Sequence, residues 1–176
     1  ASVRIESGIF AGNLAAGLGL QATGSVEARV LTLADNGGYG LDVALADPAR
    51  CLMDHCILAA NTLGEIQAPS GFPVSWSVFQ TTAYPGPGNS QADPRLQRPF
   101  YKLAPGSPCV DAGDGAARTP PTDYEGDPRV VRTKPGGIVR PDLGADEYVP
   151  TGSARLYGVP GFGYAAFHPV MATPNT

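Results

Sequence analysis

Charge is scarce in this 176-residue chain. Asp, Glu, Lys and Arg make up 16% of it, against roughly a quarter of an average globular domain. Only 12 residues are basic and the net charge is −4, so no basic stripe is available for nucleic acid. No apolar run reaches the about 18 residues of a membrane-spanning helix, and no membrane span is expected. Cysteine is rare as well. An odd set of three, Cys51, Cys56 and Cys109, is a poor disulfide framework, and no Cys/His zinc spacing accompanies it. Three buried thiols are the expectation, with a Cys51–Cys56 bridge as the alternative. A leader of basic then apolar residues is missing from Ala1-Ser-Val-Arg-Ile-Glu6, which reads as the middle of a strand. The expectation is a piece of a longer chain whose export signal lies upstream. Sustained helical periodicity is missing too, because 23 glycines and 18 prolines interrupt every candidate. There is no nucleophile elbow or phosphate loop, and Gly17-Leu-Gly-Leu-Gln-Ala22 lacks the last glycine of a dinucleotide fingerprint.

What remains is apolar and repetitive. Hydrophobic residues are 43% of the chain, enough for a core. Three segments align: Ile9-Phe-Ala-Gly-Asn13, Thr32-Leu-Ala-Asp-Asn36 and Ile57-Leu-Ala-Ala-Asn61, spaced by 23 and then 25 residues. Val78-Phe-Gln-Thr-Thr82 is a weaker fourth copy, 21 residues on. Each of the first three copies is preceded by an alternating strand (Val3-Arg-Ile-Glu6, Val26-Glu-Ala-Arg29, Cys51-Leu-Met-Asp54). Each is followed by another strand (Gly17-Leu-Gly-Leu20, Gly40-Leu-Asp-Val43, Gly64-Glu-Ile-Gln67). Several short strands per 20 to 25 residues predict a β-solenoid, in which coils stack about 4.8 Å apart and equivalent side chains form columns. The fold expected is all-β: a right-handed parallel β-helix with a C-terminal cap and an irregular tail. Three to four coils would occupy 1–83, a capping segment 84–149, and a linker with the start of a tail or anchor 150–176. Asn13, Asn36 and Asn61 would form an amide ladder at one bend, since Asn tolerates left-handed geometry and satisfies nearby backbone groups.

After residue 84 the composition turns to prolines, glycines and acids. Three motifs follow in order: Pro105-Gly-Ser-Pro-Cys-Val-Asp-Ala-Gly113, Thr122-Asp-Tyr-Glu-Gly-Asp-Pro-Arg129 and Asp142-Leu-Gly-Ala-Asp-Glu147. Over about 50 residues this trio resembles the closing segment of bacterial parallel β-helix proteins of the "choice-of-anchor" type. Cys109 stands where that pattern usually has Ala, Tyr124-Glu125 replaces an aliphatic-Asp pair, and residues 132–140 form a longer insertion. The resemblance implies an exported or cell-surface bacterial protein and does not itself imply a catalytic activity, since the motif belongs to the cap. Read as scaffold, Pro105 and Gly106 set a turn near Ser107. Asp111 and Asp123 accept backbone N–H groups. Arg129 suits a carboxylate partner such as Asp142 or Glu147. A solenoid end needs such a plug, because its last coil exposes apolar surface and unpaired edges.

Other chemistry is thinly represented. Eight of the sixteen acidic residues lie between Asp111 and Glu147, which makes Asp111, Asp114, Asp123 and Asp127 a candidate calcium set. No other cofactor is expected. Arg4, Glu6, Glu27, Arg29 and Asp54 would face outward, with Arg4 stacked over Glu27 and Glu6 over Arg29, as a charge-paired solvated row. His55 beside Asp54 is a weak base candidate, and His168 in the aromatic tail a weaker one. The function expected is a non-catalytic, rigid, secreted or surface scaffold that binds carbohydrate or a surface partner. Alternatives are a fragment of a polysaccharide lyase or glycoside hydrolase with its active site on upstream coils, and a subunit of an extracellular assembly. The first coil would be covered by upstream coils or a partner subunit.

Overall fold

The computed structural model describes residues 2–45, 47–116, 119–131, 133 and 137–150. The aromatic tail, with His168, lies outside the described residues. Among the described residues the fold is all-β apart from one turn of 3-10 helix at Pro48–Arg50, capped by the Asp47 carboxylate on the Ala49 N–H (3.1 Å). Coil one contains β1 (Val3–Ala11) and β2 (Leu18–Ala22), and coil two β3 (Val26–Ala34) and β4 (Tyr39–Leu45). Coil three contains β5 (Cys51–Asp54), β6 (Ile57–Ala59) and β7 (Gly64–Gln67), and coil four β8 (Val74–Ser75) and β9 (Val78–Phe79). All of these pair in parallel: β1 with β3, β3 with β5 and β6, these with β8 and β9, and separately β2 with β4 and β4 with β7. The repeat spacing is therefore the strand register. Phe10 pairs with Leu33, Leu33 with Leu58 and Leu58 with Phe79, so one apolar side chain per coil stacks inside a parallel β-solenoid of about three turns.

Each coil is bent by a stacked residue in the left-handed region. Ser7, Val30, His55 and Trp76 have φ of 53°, 57°, 53° and 43°. For a β-branched Val this conformation is costly, and it is held because its neighbours above and below bend at the same point. Before the bend, β3 alternates: Val26 and Ala28 are buried in the solenoid interior, while Glu27 and Arg29 face out. After it, both phases are buried. Leu33 and Leu58 point into the first core, and Ala34, Ile57, Ala59 and Val78 belong to a second.

That second core corrects the expected position of the C-terminal segment. Of this segment, the described residues 103–116, 119–131 and 137–148 do not lie across the open cross-section of the last coil. They pack on the outward flank of coils two to four, where Leu103, Cys109 and Leu143 meet Ile57 and Val78. The flank is also stitched by hydrogen bonds, from Gly144 N–H to His55 O (2.9 Å) and from Ala145 N–H to Thr32 Oγ1 (3.0 Å). β10 (Ser90–Gln91) pairs in parallel beyond β9, and β11 (Leu96–Gln97) with β12 (Lys102–Leu103) forms a small antiparallel pair. The far end of the interior is closed by Phe72 and by Tyr84, whose ring stacks on Phe79 at 5.5 Å.

All three cysteines are free and buried, and no Cys51–Cys56 bridge forms. Burial pushes the Cys56 and Cys109 thiols up to about 12, so neither is a ready nucleophile.

Candidate functional site

Three sets of polar residues stand out, and the first is the asparagine corner. The left-handed residue at this bend is the one before each Asn: Gly12, Asp35 and Ala60 have φ of 69°, 55° and 55°. The Asn side chains then run up the corner. Asn13 donates both its backbone N–H and its Nδ2 to Asn36 Oδ1 (3.1 and 2.9 Å). Asn36 does the same to Asn61 Oδ1 (3.2 and 2.8 Å). Each upper amide also reaches back to a carbonyl of the coil below, Asn36 to Phe10 O and Asn61 to Leu33 O, both 3.0 Å. Every donor therefore points along one axis.

The ladder dictates glycines. A Cβ at Gly17 would come 2.6 Å from Asn36 Nδ2, and one at Gly40 would come 2.7 Å from Asn61 Nδ2. In the next coil the column holds Glu65, which pairs above Gly40 in the same register. There the Asn position is Thr82, no amide crowds the site, and Glu65 Oε1 accepts from Thr81 N–H (3.0 Å) and Thr81 Oγ1. Glu65 ends the ladder. The sequence alignment set Gly64 in the column of Gly17 and Gly40; the register is shifted by one residue, with Gly64 paired to Tyr39, and puts Glu65 there instead.

Asn36 is 1% exposed, so Asn36→Ala takes the amide partner from Phe10 O, Asn13 N–H and Asn13 Nδ2, and leaves Asn61 Oδ1 only the backbone N–H of residue 36. The expected loss is about 2–4 kcal/mol in urea unfolding. Asn13→Ala, at the solvated end, should cost under about 1 kcal/mol. Equal costs for the two would contradict the ladder as the source of the difference.

The second set is the outward row. Arg4 pairs with Glu27, Glu6 with Arg29 and Arg29 with Asp54 in strand register. Only Arg4–Glu6 is a hydrogen bond (2.6 Å). Arg4–Glu27, Arg29–Glu27 and Arg29–Asp54 stand at 3.8, 3.7 and 3.9 Å, loose pairs of small energetic weight. The row is thus a flat charged surface whose Arg4 and Glu27 side chains are 62% and 40% exposed.

His55 is fully buried where the row meets the C-terminal segment. Its Nε2 accepts from the Asp114 N–H (2.8 Å), which puts the ring proton on Nδ1, 3.0 Å from Asp54 Oδ2. Burial pushes the Asp54 carboxyl up, but interactions with His55, Ser75 and Arg29 outweigh it and hold the group below its usual value. With Nε2 occupied and no exposure, His55 ties the segment to the solenoid and is not placed to take a proton from a substrate.

The third set is the C-terminal motif. Gly106, at φ 77°, turns the chain after Pro105, and its carbonyl accepts from Arg95. Ser107 Oγ donates to Pro94 O (2.7 Å) and accepts from Cys109 N–H (3.1 Å). Asp142 accepts from Asp111 N–H and Tyr148 N–H, both 2.6 Å. Glu147 accepts from Asp142 N–H (2.9 Å) and Val131 N–H (3.2 Å). Asp123 accepts from the N–H groups of Glu125, Asp127 and Glu147, and Asp146 accepts from Leu103 N–H (2.8 Å). Arg129, the one buried cation among the described residues, donates to Gly144 O (3.0 Å) and Asp142 O (2.6 Å) and lies 3.9 Å from Glu147. Burial, and then the charge of a neighbouring carboxylate (Asp111 for Asp142, Asp142 for Glu147), push Asp142 and Glu147 upward, and burial pushes Asp146 up to about 6.

The calcium candidates are not brought together. Asp111 accepts from Thr133 Oγ1, Asp114 from Ala116 N–H, and Asp123 from three backbone groups. Among the described residues no three His, Cys, Asp or Glu side chains form a metal-holding group. Comparison with protein-family models, curated proteins and solved structures finds no match.

Proposed function

We propose that this chain is a non-catalytic, rigid scaffold section of a secreted or cell-surface bacterial β-helix protein, and that its outward row contacts carbohydrate. The observation that carries the scaffold reading is the engagement of the motif. Ser107, Asp123, Arg129, Asp142, Asp146 and Glu147 each direct their polar atoms at backbone groups of their own segment, with almost no exposure. Residues used this way hold a shape and do not face a substrate. The resemblance of the motif to "choice-of-anchor" closing segments supports the exported, surface location.

The carbohydrate reading rests on the row. Arg4, Glu6, Glu27 and Arg29 present donors and acceptors on a flat sheet; Arg4 and Glu6 are hydrogen-bonded, but the pairs that Glu27 makes with Arg4 and Arg29 are too loose to satisfy it. Sugar hydroxyls have the size and the dual donor-acceptor character to bridge such pairs. A panel of neutral and acidic polysaccharides tested by calorimetry should show binding that weakens at least about tenfold in Arg4→Ala/Glu27→Ala, with the unfolding curve unchanged. Turnover of an acidic glycan to an unsaturated uronate, read by its ultraviolet band, would establish the lyase alternative instead. No binding by any polysaccharide would remove the carbohydrate reading and leave the scaffold.

A further inference from the structure

The two ends of the solenoid differ in kind, and the difference says what fits on one of them. At the far end the columns close: Thr82 and Glu65 stand where the ladder has Asn and Gly, and Phe72 and Tyr84 cover the interior. At the near end they do not. β1 pairs only with β3. Val3, Ile5 and Phe10 are half-buried, whereas their register partners Val26, Ala28 and Leu33 are fully buried. Asn13 is exposed, and among the described residues its Oδ1 accepts nothing, while Asn36 and Asn61 each accept two hydrogen bonds there.

We propose that the β1 edge is the docking surface for one further coil of the same repeat, supplied by polypeptide preceding Val3 and carrying Asn-x-x-x-Gly in register with Asn13 and Gly17. The direction of the ladder sets the first requirement. Each coil's Asn donates its N–H and Nδ2 to the Oδ1 of the coil after it, and that coil's Nδ2 returns to a carbonyl three residues before the donor Asn. Asn13 Oδ1 and the second hydrogen of its Nδ2 are the two groups such a neighbour would use. Crowding sets the second requirement. The residue four places after the new Asn would lie beside Asn13 Nδ2, as Gly17 lies beside Asn36 and Gly40 beside Asn61, and a Cβ does not fit at those distances.

A second copy of this chain does not meet these terms. Stacked end to edge, it would offer no asparagine to Asn13, because the Asn position of its fourth coil is Thr82. Paired edge to edge about a two-fold axis, its β1 would run antiparallel, and the one-way ladder could not continue. The continuity of the coil-to-coil interface therefore favours a parallel coil of the stated pattern.

The test is a graft. A duplicate of residues 24–46 placed directly before Ala1 puts an Asn 23 residues ahead of Asn13, with its Gly in register. Hydrogen exchange of the Val3–Ala11 amides should slow by about tenfold or more, with β3 as slow as in the parent. The same graft carrying Asn36→Ala and Gly40→Val in its duplicated part should leave β1 fast. The comparison repeated in trans, with synthetic peptides of residues 24–46 and of the doubly substituted form, carries the test if the fusion does not fold. Unchanged β1 exchange with the unsubstituted coil would overturn the proposal. Equal protection by both forms would overturn the Asn-x-x-x-Gly requirement. A parent that sediments as a dimer with β1 already protected would assign the edge to a second copy.

Discussion

Arg129→Met should lower the unfolding free energy by about 3–5 kcal/mol, and by more at about pH 8 than at about pH 5. Arg129 is 1% exposed and Asp142 and Glu147 are 0% and 2% exposed. Removing the guanidinium leaves two buried carboxylates without their cation, and strands the carbonyls of Asp142 and Gly144. A methionine fills the volume, so the loss reports charge and hydrogen bonding more than a cavity. The pH dependence follows because protonating one carboxylate removes most of the repulsion that the mutation exposes. The damage should also be regional. The segment on the flank should loosen while the interior stack of Leu33, Leu58 and Phe79 survives, because those residues belong to the other core. Trp76 packs against the flank core and is the single tryptophan, so its fluorescence reads one region and amide protection of β3 the other. A loss below about 1 kcal/mol, or one independent of pH, would falsify the assignment of Arg129 as the charge partner of this cluster.

The same division explains what the amino-acid order made legible. Register in a parallel solenoid equals repeat spacing, so the alignment of Asn13, Asn36 and Asn61 also placed Phe10 over Leu33 and Leu33 over Leu58. The flank was less legible, although a signal existed. Val26-Glu-Ala-Arg29 alternates, which marks one buried face. Thr32-Leu-Ala and Ile57-Leu-Ala are small or apolar in both phases, which marks two. Alternation that stops mid-coil at a fixed column requires a cover outside the solenoid, and Leu103, Cys109 and Leu143 supply that cover. The pairing of His55 with the Asp114 N–H, 59 residues away, had no local signature. Asp146 sits among motif acids of like appearance, and only its burial separates it from exposed Glu125.

Stability should fall as pH rises from about 4 to about 6, which is the opposite of a protein held by salt-bridged surface acids. Asp146, buried and pushed up to about 6, keeps its proton in the folded state at pH values where the unfolded chain, with a carboxyl near 4, has lost it. Across that window the folded state binds more protons, so each rise in pH favours unfolding. About two units for Asp146 set an upper bound near 3 kcal/mol. Asp142 and Glu147, also raised, extend the fall to higher pH. The opposite sign applies to Asp54 and to Asp35, which Arg98 holds below its usual value (2.5 Å). Their contribution is present above about pH 4 and is lost as pH drops through their folded values. The two sets together place the stability maximum at about pH 4, below the isoelectric point near 5.0. Urea midpoints followed by Trp76 fluorescence at about pH 5, 6.5 and 8 test this. Asp146→Asn keeps an oxygen for Leu103 N–H and cannot ionise, so it should flatten the descent between the first two points. A parent whose stability rises over that interval, or a variant that descends as steeply as the parent, would show that these carboxyls are already ionised in the fold and that Arg129 and the backbone N–H groups outweigh their burial.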